Sequence, residues 1–232
     1  MSDNIIKNIN NVNELQFNSN VFSVKIMSTF LAYANYPNIA KFWQGDNTSY
    51  CLWGDNLTID GIADIDFVNF LKPNSVFCTY ENSIILNLKP ITFGEVLHKN
   101  LLGEPVDLTP FFSDDIDEIY SVLNNCNMIK DYENFKLDCS HKFRHALGNY
   151  SIIRKKCVAL SLYCLEKSAI ITAVATEKTQ RRQGFGKKVL LDLEEKLKGR
   201  EIFLLKENEK NTIFYDKLNY KIIDKWCIGK LR

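Results

Sequence analysis

The 232-residue sequence predicts an α/β chain of the α+β, mixed-sheet kind, and three observations predict it. Amphipathic helical stretches alternate with short apolar runs rich in β-branched and aromatic residues; turn dipeptides separate those runs; and one run leads through a glycine-containing loop directly into a helix. With 46% hydrophobic and 12% aromatic residues the chain can bury a substantial core, which excludes disordered and fibrous classes. Lys and Arg number 29 against 28 Asp and Glu, leaving a formal charge of +1, so no global field favours nucleic acid or an anionic membrane. Any charge that matters is local.

The first twenty residues include seven Asn and lack a basic stretch followed by an apolar one. No later stretch reaches the roughly 18 uncharged apolar residues of a membrane span, so a soluble, cytoplasmic protein is expected. From Val21 onward Phe22, Val24, Ile26, Met27, Phe30, Leu31 and Tyr33 recur near helical spacing, and Pro37 closes that helix. Between 42 and 88 the dipeptides GD, DN, DG, KP and EN break the chain into strands at 49–53, 56–59, 75–80 and 83–88, with a short helix over 64–71. The stretch 98–110 reads as the boundary between domains of 1–108 and 109–232. Beyond it the pattern predicts helices at 114–126 and 134–147, strands at 150–153, 158–164 and 170–176, a helix at 184–197, a strand at 201–205, a helix at 208–218 and a strand at 220–228. Both halves run from helix to strands, which permits a duplicated fold. The seven cysteines are odd in number and never spaced CxxC, which argues against a disulfide framework or a zinc ribbon and for reduced core thiols.

Residues 169–197, AIITAVATEKTQRRQGFGKKVLLDLEEKL, carry the most information. A β-rich run ends at Thr176, a polar loop follows, and Gly184 and Gly186 stand where a helical apolar face begins. Backbone N–H groups at such a start have no intrahelical partner and lie at the positive end of the helix dipole. Glycine allows close approach, and Arg181, Arg182, Lys187 and Lys188 add positive charge. A polyphosphate is the expected ligand. Neither GxxxxGK[ST] nor GxGxxG is present, which sets aside the P-loop and the dinucleotide-binding turn.

Arg181-Arg182-Gln183-Gly184-Phe185-Gly186 resembles the [QR]xxGx[GA] signature of GNAT-type N-acetyltransferases, which hold the pyrophosphate of acetyl-CoA. Upstream, AVAT at 173–176 resembles the end of that family's fourth strand, whose backbone pairs with the pantetheine arm. Downstream, NEKNTIFYDKLNY at 208–220 is similar to the family's NxxAxxxYxxxGF segment, with Asn208 seven positions before Tyr215. The resemblance covers about 114–228. Asn219-Tyr220 replaces the usual Gly-Phe, where Asn tolerates a left-handed cap and Tyr still packs as an aromatic, and Asn211 stands in place of a small apolar residue.

What this resemblance implies is a GNAT-type acetyltransferase fold in the C-terminal half and a degenerate, strand-rich GNAT-like N-terminal lobe without a coenzyme site. It implies acetyl-CoA as co-substrate, no metal, and binding by Val174, Ala175, Thr176, Arg181, Arg182, Gln183, Gly184, Phe185, Gly186, Lys187, Asn208 and Tyr215. The backbone at Val174 would polarise the thioester carbonyl, and Tyr215 would protonate the departing thiolate; the competing reading of Tyr215 is a packed aromatic beside Phe214. For the general base, Asp138, His141 and His145 share one face of a helix that in the family flanks the acceptor cleft. His141 or Asp138 could take the proton, against the reading of ordinary surface or capping polarity. HKFRH lacks the Glu of HExxH, which disfavours a metal. The function expected is an N-acetyltransferase acting on a primary amine of a small or amino-acid-like molecule, with no nucleic-acid or membrane partner and a homodimer left open. A non-catalytic coenzyme A or acyl-CoA sensor is the competing class.

Overall fold

Asn20 opens the first helix, and its surroundings show how an asparagine-rich start is used. In a computed structural model that describes residues 5–207 and 211–232, the Asn20 side chain accepts from the N–H groups of Phe22 (2.8 Å) and Ser23 (2.9 Å), while its own N–H donates to Ser23 Oγ (3.1 Å). That reciprocal cap satisfies three orphan donors. The Asn20 and Asn18 amides also donate to the two oxygens of the buried Asp60 carboxylate, at 2.8 and 2.9 Å. Burial pushes that carboxyl above its usual range.

Contacts divide the chain into two units, Met1–Lys99 with Phe203–Arg232, and Asn100–Ile202. The first contains β1 (Lys7–Asn8), α1 (Val21–Tyr33), β2 (Ala40–Gln44), β3 (Ser49–Trp53), β4 (Asn56–Asp60), α2 (Ile65–Leu71), β5 (Ser75–Thr79), α3 (Tyr80–Ile85) and most of β6 (Lys89–Asn100). The second contains α4 (Ile116–Asn125), α5 (Tyr132–Arg144), β7 (Asn149–Ile153), β8 (Cys157–Cys164), β9 (Ser168–Thr176) and α6 (Phe185–Lys196). β10 (Glu201–Glu207) starts in the second unit and ends in the first, which also takes α7 (Thr212–Asp216) and β11 (Lys221–Lys230).

Strands of the first unit lie in the order β1-β2-β3-β4-β5-β11-β6-β10. β4 and β5 are parallel and joined through α2, whereas β11 is antiparallel to both β5 and β6. Tyr50, Leu57, Ile59, Val76 and Cys78 fill its core. In the second unit β7, β8 and β9 form an antiparallel meander. Every residue of β8 is buried, because α6 packs on β7, β8 and β9 while α4 packs on β8 and β9. All seven cysteines are free thiols and six are buried. Among the described residues no helix is long and apolar enough to cross a membrane.

Two departures from the sequence pattern have local causes. The run 83–88, read as a strand, is instead the end of helix α3 (83–85) and the turn that follows it, because Thr79 Oγ1 accepts from the Asn82 N–H (3.2 Å) and starts the helix. Conversely, β6 and β2 form where no strand was expected. β6 opens with Lys89-Pro90 and carries Gly94, both poor strand signals, yet a Cβ at Gly94 would stand 1.9 Å from the Lys206 carbonyl oxygen of β10. The glycine is there for that close approach. Gly94→Val should therefore destabilise the protein by about 3 kcal/mol, read from the urea midpoint; a wild-type midpoint would show that the two strands can part at this position.

Candidate functional site

β9 ends at Thr176, and the chain then makes a short 3-10 turn at Lys178–Gln180 before entering α6. Arg182 (φ 63°) and Gly184 (φ 83°) both adopt the left-handed region, the first at a steric cost and the second without one. Gly184 occupies the N-cap position of α6, where no side chain accepts from the first turn, and a Cβ built on it would meet nothing within 4 Å. The first intrahelical bond there runs from the Lys188 N–H to the Gly184 carbonyl (3.1 Å). The N–H groups of Phe185, Gly186 and Lys187 thus lack intrahelical partners, and the side chains of Arg181, Arg182, Lys187 and Lys188 nearby are exposed. This is an arrangement able to hold an anion.

The strand end behind that loop is gripped from several sides. The Thr176 carbonyl accepts from Arg181 Nε (3.2 Å) and Cys126 Sγ (3.5 Å), and its hydroxyl lies 3.0 Å from Cys157 Sγ. Glu177 donates its N–H to the Lys156 carbonyl (2.8 Å) and accepts from Asn125 Nδ2 through its carboxylate (2.8 Å). One donor of Arg181 is therefore spent on shaping the loop. Along β9, Val174 pairs with Ala159, Ala175 with Val158 and Thr176 with Cys157; Ala175 is buried, while Val174 and Thr176 are half-buried. Sequence reading passed over Lys156, whose ammonium stands 4.8 Å from the Phe185 ring centroid.

Asp138 and His141 lie on α5, in the same unit as the loop. Asp138 is buried, and its carboxylate is 3.8 Å from the ammonium of Lys142, a fully buried lysine whose Nζ also sits 3.6 Å from the Tyr163 ring centroid. His141 is half-buried with its ring 4.5 Å from that of His145. Desolvation, then His141 and Arg144, holds the His145 imidazole below its ordinary value. Among the described residues no group of three or more His, Cys, Asp and Glu could hold a metal ion.

Tyr215 belongs to the first unit, on α7, and Asn208 lies outside the described residues. The Tyr215 ring is 7% exposed and packs edge-on to Phe214 and Tyr220. Burial pushes its phenol up to about 12, so it holds its proton at neutral pH. Asn219 takes φ 64° and the Tyr220 N–H donates to the Tyr215 carbonyl (3.1 Å), the left-handed helix exit for which Asn substitutes for Gly.

A cleft of about 500 Å³ in the second unit is lined by Phe111, Asp115, Tyr150, Asp192 and Lys196. Its Asp115 carboxylate accepts from Tyr150 Oη (2.8 Å) and pairs with Arg154 (2.9 Å), and its Asp192 pairs with Lys196 (3.2 Å). Asp192 and Lys196 lie two to three turns along α6 from Gly184, and the loop and the cleft are separate features.

No protein-family model matches the chain, and no curated protein matches it either. Solved structures do. A GCN5-related N-acetyltransferase from Kribbella flavida superposes with a TM-score of 0.59 at 14% identity, over 89% of this chain and 93% of that one. One from Sphaerobacter thermophilus gives 0.51 at 11% identity, over 82% and 79%. A tandem GNAT protein from the clavulanic acid biosynthesis pathway gives 0.51 at 9% identity, over 89% and 86%. At such identities the likeness is one of fold, and it extends over most of the chain, including a protein with two GNAT copies: the chain has the fold of the GNAT-type N-acetyltransferases.

Proposed function

We propose that the protein is an N-acetyltransferase that moves the acetyl group of acetyl-CoA to a primary amine of a small or amino-acid-like molecule. The observation that carries this reading is the uncapped, glycine-opened start of α6 among exposed cations, at the position where the Arg181–Gly186 motif resembles the acetyl-CoA loop. Arg182, Gln183, Gly184, Phe185, Gly186 and Lys187 would hold the pyrophosphate, with Arg181 shaping the loop and Asn208 among the binding residues. The backbone of Val174, Ala175 and Thr176 would receive the pantetheine arm. The 1–108 and 109–232 segments are read as two copies of the fold, the first without a coenzyme site. The acceptor is a small-molecule amine; nucleic acid and membranes are not partners, a homodimer is compatible, and the setting is cytoplasmic.

In the transfer the amine lone pair attacks the thioester carbonyl carbon, a C–N bond forms and the C–S bond breaks. Before the attack the acceptor ammonium would give one proton to His141, directly or through water; as the C–S bond breaks the thiolate would take the proton of Tyr215, whose phenolate would recover one from the second proton shed by the new amide nitrogen. Asp138, 3.8 Å from the Lys142 ammonium, is the alternative candidate for that base. A second reading is a coenzyme A-binding sensor without transfer. Incubation with acetyl-CoA and a panel of amines, followed by mass spectrometry, separates the two: binding with no acetylated product supports the sensor.

Gly186→Val puts a branched side chain where the pyrophosphate must approach, and coenzyme A affinity measured by calorimetry should fall about tenfold. An unchanged Kd in the folded variant would remove the loop from the site. Tyr215→Phe keeps the ring and removes the hydroxyl. Its kcat should drop about 10²-fold with coenzyme A affinity unmoved. Wild-type turnover would leave Tyr215 a packing residue. The same variant has a pH signature. The folded protein holds the Tyr215 proton more tightly than the unfolded chain, whose phenol has the ordinary value of 10.0. That contribution is complete below about pH 10 and fades as pH rises toward about 12, so across this window Tyr215→Phe should lose about 2 to 3 kcal/mol less stability than wild type.

A further inference from the structure

Lys156 touches the anion loop at both of its ends. It stands in the turn between β7 and β8, where Lys155 takes φ 57° and gives its N–H to the Glu118 carboxylate, so the turn has one defined shape. The Lys156 carbonyl accepts the N–H of Glu177, the first loop residue after β9. The Lys156 ammonium lies 4.8 Å from the ring centroid of Phe185, the first residue of α6. Both residues are half-buried, so the stem is laid on the protein rather than free in water. Among the described residues no carboxylate lies within ion-pair distance of that ammonium, and a lysine head carries three donors of which a ring face engages at most one. The result is a cation held against the ring of the first residue of α6, unlike Arg181, Arg182, Lys187 and Lys188, which are exposed.

We propose that Lys156 is a specificity-determining residue of this site, contributing a pre-positioned ammonium to the pyrophosphate and so selecting the nucleotide-bearing carrier over bare pantetheine. The proposal rests on the coenzyme A reading of the α6 start. Because the Phe185 ring already orders the side chain, little rotamer freedom is lost when an anion arrives, and because the ammonium is only half-buried its contribution should fade with salt.

The test compares wild type, Lys156→Met and Lys156→Arg for binding of coenzyme A, dephospho-coenzyme A and pantetheine at low and high salt, with thermal melts alongside. Lys156→Met keeps the stem on Phe185 and should bind coenzyme A and dephospho-coenzyme A about tenfold more weakly at low salt, with a shallower salt dependence. Pantetheine binding and the melting temperature should be unchanged, and Lys156→Arg should restore affinity. Wild-type binding with an unaltered Lys156→Met overturns the proposal alone. A matching loss for pantetheine overturns it in favour of packing, and a loss confined to coenzyme A overturns it in favour of the 3′-phosphate. A wild-type protein that binds none of the three overturns the coenzyme A reading beneath it, and the proposal with it.

Discussion

The carbonyl of Thr176 is the point on which the candidate site depends. A strand that ends in the open leaves its last carbonyl to water and its loop to many conformations, and fixing each loop residue costs about 1 to 2 kcal/mol of backbone entropy. Here that carbonyl receives Arg181 from the loop itself and Cys126 from the end of α4, while Cys157 of β8 reaches the hydroxyl of the same residue. Held in this way, the chain leaves β9 in one direction. Arg182 and Gly184 then turn it through left-handed conformations into α6, whose N-cap, Gly184, has open space where a Cβ would stand. The anion geometry is thus a consequence of how β9 ends, and the cations around it add electrostatic attraction to a shape already set.

Buried charge follows the same economy of partners throughout the molecule. Lys142 has the Asp138 carboxylate and the Tyr163 ring; Lys206 has Glu95 at 2.5 Å and Thr212 Oγ1 at 2.6 Å; Asp60 has two asparagine amides. Removing one partner of such a pair typically costs 3–5 kcal/mol, because the other charge stays behind without compensation. These residues therefore belong to the framework first.

Much of the fold could be read from the sequence wherever one element's own residues decide it. The boundaries of β3 and the placing of α2, β8 and α6 come from periodicity and caps within a few residues, and the left-handed exit at Asn219 follows from the tolerance of Asn for positive φ. What escaped depends on residues far apart in the chain. Asp138 and Lys142 at i, i+4 look like a surface pair, yet both are buried, with Tyr163 of β8 against the Lys142 ammonium. Gly94 weakens the strand signal of β6 for a reason that lies 112 residues away, at Lys206. Lys156 carries no motif, since its relation to Phe185 arises from the meander that returns the chain to the start of α6.

Two helix starts within the one chain show how small a change separates an anion site from a closed one. β4 leads through Gly61 into α2, much as β9 leads through its loop into α6, and at both starts the backbone offers N–H groups with a positive dipole end. At α2 the vacancy is filled internally: Asp64 occupies the N-cap and its carboxylate accepts from the Phe67 N–H at 2.9 Å. An incoming phosphate would have to displace that bond and face a like charge. At α6 the N-cap is Gly184, with no side chain to compete, and the nearby ionisable groups Arg181, Arg182, Lys187 and Lys188 are all cationic. The same backbone physics therefore stabilises a helix by itself in one place and is left available to a ligand in the other, the difference resting on whether the capping residue brings its own oxygen.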